Sequence, residues 1–189
     1  MRKVFFVILV IIAAAASLVV PSAYASQGME KAMSGIQSPE DIARFFSQEF
    51  TYTMTLPDRA HTPEETIETM SGDCEDLAIL ASAMLTRMGI ENQVIVIKFS
   101  DLRIAHAVCI WKDRNGYYSF ISNQELQRTS QSTAEDAIRK FYPDCQALVG
   151  IDPRTYARNS SGSSEIANAK SYRGAGLMTN LDPRFSSNI

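Results

Sequence analysis

Residues 72–78 read Gly-Asp-Cys-Glu-Asp-Leu-Ala, and this stretch governs the interpretation of the rest of the chain. Asp73 is a favoured N-cap residue, and apolar residues recur after it at three-four spacing, which predicts a helix over 74–88 that ends at Gly89. Cys74 would then lie at the first turn of that helix. The helix dipole and the free N–H groups there stabilise a thiolate, and the same N–H groups can hold an oxyanion.

A single cysteine in a helix is usually a small buried core residue. Here its neighbours Asp73, Glu75 and Asp76 argue against simple burial. The same carboxylates oppose formation of a thiolate, so an active Cys74 needs a cation or base nearby.

His106 is the better of the two histidines for that role. It lies in the apolar stretch 104–108, where strand alternation would place it on one face with Ile104 and Val108. A strand fixes an imidazole ring, whereas His61 lies among turn-forming residues. The alternative for His106 is a core histidine whose polar atoms are simply satisfied.

The elements around Cys74 predict an α+β domain. Ser38-Pro39 and Thr62-Pro63 are helix-start signals, and a further helix is expected over 133–141. Strands are expected over 94–99, 104–112 and 117–121, with a hairpin turn at 113–116. Helices followed by a small antiparallel sheet constitute this fold class.

Residues 1–25 have the pattern of a secretory signal peptide. Arg2 and Lys3 precede an apolar stretch, and Ala-Tyr-Ala at 23–25 fits a cleavage site. The alternative, an uncleaved anchor, is disfavoured because the stretch is near the lower length limit for a membrane span. We therefore expect a protein exported to the periplasm or beyond the cell, with no stable membrane span after signal removal.

The remaining boundaries follow from composition. Residues 26–37 lack a clear period and are predicted to be a linker, 38–150 to be the domain, and 151–189, rich in Ser, Asn, Gly and Ala, to be a mobile tail. A net charge of −3 without a basic cluster disfavours nucleic acid as a partner. Three cysteines in an oxidising compartment leave at least one thiol unpaired within the chain.

The 72–78 stretch, followed by His106-Ala107 and by a polar residue after the next strand, resembles the transglutaminase-like superfamily. Thr-Pro-Glu-Glu-Thr-Ile at 62–67 is similar to the bacterial transglutaminase-like cysteine proteinases. The resemblance covers roughly residues 40–127. It implies a papain-like core, in which the cysteine helix packs on a sheet that carries the histidine and a third polar residue.

That third residue is where the chain departs from the family, which commonly has Asp at this position. The segment 120–123 reads Phe-Ile-Ser-Asn, so Ser122 occupies the expected place and Asn123 follows it. An asparagine orients the histidine in papain-like enzymes, which favours Asn123 over Ser122. The alternative for Asn123 is a turn residue at the strand end.

The resemblance also implies two further roles. Tyr52 is a candidate to supply a hydroxyl to the oxyanion site formed by the Cys74 backbone; the alternative is a packed tyrosine. Glu75 and Asp76 match positions that bind calcium in some members, and carboxylate oxygens suit that ion. The alternative for this pair is to complement the helix dipole, and no cofactor is required for the chemistry.

Two functions from different classes remain. The first is a cysteine peptidase-like enzyme that transfers an acyl group from peptide or glutamine amides through a Cys74 thioester, with hydrolysis favoured over cross-linking. The second is a catalytically weak or inactive module that binds protein or cell-wall peptide in the same groove. In both cases the partner is a protein or peptide.

Overall fold

The computed structural model describes residues 20–54, 59–100, 105–153 and 178–179. The charged and apolar parts of the predicted signal peptide, residues 1–19, lie outside these ranges. No helix within the described part of the chain is long and apolar enough to cross a membrane.

Five helices and eight strands are described in chain order. They are α1 (Val20–Met33), α2 (Pro39–Glu49), β1 (Thr51–Tyr52), α3 (Pro63–Thr69), β2 (Ser71–Gly72), α4 (Cys74–Arg87), β3 (Asn92–Phe99), β4 (Ala105–Lys112), β5 (Tyr118–Ser122), β6 (Glu125–Arg128), α5 (Ala134–Phe141), β7 (Cys145–Ile151) and β8 (Met178–Thr179).

Helix starts are capped as their sequences predict. Ser38 and Thr133 each accept a hydrogen bond from the backbone N–H three residues on, and Thr62 forms a reciprocal capping box with Glu65. Helix α3 ends at Thr69, and its C-cap Met70 adopts a left-handed conformation with φ 48°. This turn directs the chain into β2, immediately before Cys74.

The main sheet has six strands in the order β6-β5-β4-β3-β7-β8. The pairs from β6 to β7 are antiparallel, and β8 adds to β7 in the parallel sense. A separate pair, β1 and β2, is parallel and places Tyr52 opposite Gly72. The short β1 thereby lies beside the residues that lead into α4.

The sheet is covered on both faces. Helix α4 packs on one face, where Ala107, Cys109 and Trp111 of β4 are buried with apolar residues of α4. The other face carries Val108 and Ile110 and packs against α5. Successive side chains of β4 are therefore buried in two different hydrophobic cores, which explains why the strand is apolar almost throughout.

Two of the predicted boundaries are wrong. The linker expected over 26–37 is helical as far as Met33, and Met29 is only 1% exposed in the core. Met29, Met33 and Ile36 are spaced as one face of a helix, and α1 packs on α3. The expected tail over 151–189 is ordered at its start, where Ile151 ends β7, and again in β8. Its other residues, 154–177 and 180–189, lie outside the described ranges.

The β5–β6 hairpin is attached to α2 at both ends of that helix. The Gln124 side-chain amide donates to the carbonyls of Phe46 (3.0 Å) and Phe50 (2.7 Å), which satisfies the carboxyl end of α2. Arg128 pairs with Glu40 at the amino end. These contacts hold the end of β5, and therefore Ser122, in a defined place.

We predict that Gln124→Ala lowers the free energy of unfolding by about 1–3 kcal/mol, because the Phe50 carbonyl loses the Gln124 donor and the Phe46 carbonyl is left with the Phe50 N–H. Chemical denaturation measures the change. Gln127→Ala on the same hairpin is the matched control, because the Gln127 amide contacts only the exposed Glu125 carboxylate. Equal losses in the two variants would contradict the role assigned to Gln124.

Candidate active site

Cys74 is the first residue of α4, and the start of that helix is fully capped. The Asp73 carboxylate accepts from the N–H groups of Glu75 (2.9 Å) and Asp76 (3.4 Å). Those two donors are therefore satisfied by the cap. The Cys74 N–H is not bonded by the Asp73 cap, and the Tyr52 hydroxyl lies near it.

Tyr52 lies beside Cys74 because β1 pairs with β2. Its hydroxyl lies close enough to Cys74 for both the backbone and the thiol of that residue to influence its pKa. Burial, followed by the nearby negative charges of Cys74 and Asp73, raises the pKa of Tyr52, so it remains a neutral phenol at pH 7. Two of the expected oxyanion-site groups, the Cys74 N–H and the Tyr52 hydroxyl, thus converge at one point.

The three cysteines differ sharply in access. All are free thiols, but Cys109 and Cys145 are buried and only Cys74 is partly exposed. Burial raises the pKa of the Cys109 thiol well above its usual value. Since the thiolate is the reactive species, Cys109 is chemically suppressed.

The Asp76 side chain is 1% exposed and bonds three groups. It accepts from the backbone N–H of His61 at 2.6 Å and of Asp73 at 3.1 Å, and it pairs with His61 Nδ1 at 3.0 Å. Both carboxylate oxygens are therefore occupied. His61, which the sequence marked only as a loop histidine, is thus a structural partner of the cysteine helix.

Glu75 and Asp76 remain a predicted calcium pair. In this structure the Asp76 carboxylate is engaged by His61 and Asp73. Among the described residues there is no group of three or more His, Cys, Asp and Glu side chains able to hold a metal. Asp76 also acts as the acid of a capping box at the positive end of the helix.

His106 contacts Ser122 rather than Asn123. Its Nε2 lies 2.8 Å from Ser122 Oγ, and Ser122 Oγ lies 2.7 Å from the hydroxyl of Tyr142. Burial lowers the pKa of His106 below its usual value, so the ring is neutral at pH 7. The third-residue role of either candidate remains a prediction, but the ring contact belongs to Ser122.

Asn123 lies at the hairpin turn with a left-handed φ of 52°. Asparagine tolerates this conformation better than most residues, which accounts for its place between β5 and β6. Its Oδ1 is buried without a hydrogen-bond partner among the described residues. The observed geometry is that of the turn residue considered as the alternative.

His106 and the body of α4 lie on opposite faces of the sheet, which corrects the expectation that His106 faces Cys74 across the helix–sheet interface. His106 shares its face with Val108, whereas Cys109 packs on the α4 side. Tyr142 lies near both His106 and Cys74: its ring centroid is 5.4 Å from that of His106, and its pKa is raised by burial and, to a smaller extent, by the nearby Cys74 charge.

Tyr142 is the residue that sequence analysis missed. It follows α5 as its C-cap, and nothing in the local sequence distinguishes it from an ordinary packed tyrosine. Its relation to Ser122, twenty positions away, appears only when α5 is placed on the sheet.

A model of the transglutaminase-like domain matches residues 24–134, more than half of the chain. The chain belongs to the transglutaminase-like domain family. This confirms the resemblance and the α+β fold class. The match begins within α1, so the family's domain includes the whole stretch over 26–37 that was expected to be a linker.

Solved structures with a transglutaminase-like fold are distant from this chain. LapG from Legionella pneumophila, in a calcium-bound form, is 19% identical with a TM-score of 0.45, and the match covers 77% of this chain and 84% of that chain. Another LapG structure is 19% identical over 64% and 68%, also with a TM-score of 0.45. A candidate cysteine protease from Cytophaga hutchinsonii is 17% identical over 52% and 36%, with a TM-score of 0.43. A search of curated proteins found no match.

Gly72 of this transglutaminase-like domain is required by packing. A Cβ at that position would lie 2.6 Å from Asp76 Cβ and 2.7 Å from its Oδ2. Asp76 cannot move away because its carboxylate is held by His61 and Asp73. The glycine of the Gly-Asp-Cys-Glu-Asp motif is therefore needed for the close approach of the buried acid.

We predict that Gly72→Ala lowers the free energy of unfolding by about 1–3 kcal/mol, a typical effect of forcing atoms into a packed site. Thermal and chemical denaturation measure it. Gly35→Ala is the control, because a Cβ there meets nothing within 4 Å. If the two variants are equally stable, the Asp76 packing described here is incorrect.

Proposed function

We propose that this chain is an exported cysteine peptidase-like enzyme that hydrolyses peptide or glutamine amide bonds through a Cys74 thioester. The observation that carries the proposal is the placement of Cys74. It is the accessible one of three free cysteines, it begins a capped helix, and its N–H and thiol both lie close to the Tyr52 hydroxyl.

The proposed first step forms the thioester. The Cys74 thiol proton passes to Nδ1 of His106 as the sulfur attacks the carbonyl carbon of the substrate amide. The developing oxyanion receives hydrogen bonds from the Cys74 N–H and the Tyr52 hydroxyl. The tetrahedral intermediate then collapses, the C–N bond breaks, and the His106 proton leaves on the amine.

The second step releases the acyl group. A water gives a proton to His106 and attacks the thioester carbonyl. The C–S bond then breaks, the His106 proton passes to the sulfur, and the products are a carboxylic acid and the Cys74 thiol. Water is favoured as the acceptor because a specific amine would need a site of its own, whereas water is abundant outside the cell.

The state of His106 supports its role as a base. Burial lowers its pKa, so the ring is neutral and able to accept a proton at pH 7. The contact of Nε2 with Ser122 leaves Nδ1 available for the thiol. We expect substrate to bind at the end of the sheet where Tyr142 contacts the His106 ring.

Ser122 also favours a second candidate function, a weakly active or inactive module that binds protein or cell-wall peptide. A neutral hydroxyl stabilises an imidazolium less than a carboxylate does. A protein that retained the groove for binding alone would tolerate this change. The two candidates differ in whether Cys74 is activated.

We predict that iodoacetamide at pH 7 alkylates Cys74 at least tenfold faster than Cys109 or Cys145, measured by mass spectrometry of peptides from the folded protein. His106→Ala should slow Cys74 by about tenfold or more, because the thiol loses its base. In that variant the rate should still rise with pH, because the thiolate is the reactive species.

Circular dichroism and the unchanged slow labelling of Cys109 verify that the His106 variant is folded. An unaltered rate of Cys74 alkylation in this variant would contradict the proposed Cys74–His106 pair and would leave the binding module as the better candidate.

A second prediction concerns the missing carboxylate. Ser122→Asp should speed alkylation of Cys74 at pH 7 by roughly tenfold, because a carboxylate beside His106 raises the pKa of the ring and favours the thiolate–imidazolium pair. Ser122→Asn, nearly identical in size but uncharged, is the matched control and should not speed it. Acceleration by both substitutions would attribute the effect to side-chain size and contradict the electrostatic explanation.

A further inference from the structure

We propose that Tyr142 is a positioning residue that acts through Ser122 to keep His106 in the tautomer that can accept the thiol proton. The inference rests on the proposed function, since it concerns the base of that reaction. It assigns to the Tyr142–Ser122 pair the orienting role that a carboxylate plays elsewhere in the family.

The geometry that supports this is a continuous chain of three groups. His106 Nε2, Ser122 Oγ and the Tyr142 hydroxyl are joined by contacts of 2.8 and 2.7 Å. Ser122 is only 8% exposed, so its hydroxyl depends on these two partners rather than on bulk water.

The direction of the hydrogen bonds follows from the number of protons. For Nδ1 of a neutral His106 to accept the thiol proton, Nε2 must carry the ring hydrogen and donate it to Ser122 Oγ. The single Ser122 hydrogen must then go to another acceptor, and the Tyr142 oxygen is the one in place. A carboxylate would enforce this tautomer by itself because it can only accept, whereas serine can also donate to the ring.

Tyr142 is held well enough for this task. Its backbone N–H donates to the Ile138 carbonyl at the end of α5. Its ring packs against those of Phe99, His106 and Phe120, with centroid distances of 5.4 to 6.3 Å. The phenol oxygen is thus presented to Ser122 by a side chain packed on several sides.

The test is Tyr142→Phe, which keeps the ring and removes the oxygen. Ser122 then has Nε2 of His106 as the acceptor within reach, and donation to it favours the tautomer with hydrogen on Nδ1. We expect alkylation of Cys74 at pH 7 to fall about fivefold to tenfold. We also expect the ¹⁵N chemical shifts of His106 to move from the Nε2–H form toward the Nδ1–H form.

Tyr117→Phe is the matched control, because it removes an equivalent hydroxyl at the opposite end of β5, beside the Asp113–Gly116 turn. It should leave both measurements unchanged. If the wild-type ring already carries its hydrogen on Nδ1, or if Tyr142→Phe leaves the tautomer as it was, the proposal is overturned.

A double-mutant cycle with Ser122→Ala separates action through Ser122 from direct action on the thiol. If Tyr142 acts through Ser122, Tyr142→Phe should have no further effect on the alkylation rate once Ser122 is alanine. An equal loss in both backgrounds would show that Tyr142 acts on Cys74 directly and would contradict the relay.

Failure of this inference is distinguishable from failure of the proposed function. If His106→Ala slows Cys74 but Tyr142→Phe does not, the enzyme proposal stands and the relay is wrong. If His106→Ala leaves the Cys74 rate unchanged while Tyr142→Phe shifts the tautomer, the relay exists but does not serve a Cys74–His106 reaction.

Discussion

The buried carboxylate of Asp76 determines where α4 begins, and the position of Cys74 depends on it. An unpaired carboxylate in the core would be strongly destabilising, so its partners are obligatory. Asp76 finds them in the Asp73 N–H and in the backbone and ring of His61. Those contacts connect the loop before α3 to the start of α4 and require Gly72 between them. The acidic residues around the cysteine therefore have a structural role, which is to fix the start of α4.

The start of α4 also places Cys74 close to Tyr52. With Asp73 satisfying the N–H groups of Glu75 and Asp76, the Cys74 N–H is left near the Tyr52 hydroxyl. Strand β1 is only two residues long, yet its pairing with β2 brings that hydroxyl to the thiol. A very short strand thus brings Tyr52, a residue distant in sequence, beside Cys74.

The two-sided sheet explains why the histidine network lies where it does. Alternation along β4 assigns Cys109 to the α4 core and His106 to the α5 side. His106 is therefore supported by Ser122 and Tyr142, from the next strand and from the end of α5. The attachment of the β5–β6 hairpin to α2 by Gln124 holds this support rigidly, since Ser122 is two residues from that contact. The site combines groups from both faces at one end of the sheet.

Local sequence by itself determined the helix starts at Ser38, Thr62 and Asp73, the strands β3, β4 and β5, the place of Cys74 and the α+β class, because capping and periodicity depend on neighbouring residues. It did not predict β1, β2, β6, β7 or β8. Local sequence did not predict the features that depend on contacts between residues distant in the chain. Residues 26–37 were assigned to a linker because the short apolar period from Met29 gains stability only by docking on α3. Asn123 was preferred over Ser122 by analogy, whereas the turn takes Asn123 and the ring contacts Ser122. The roles of His61 and Tyr142 were decided by tertiary structure alone, because hydrogen bonds between residues fifteen and twenty positions apart leave no periodic trace in the sequence.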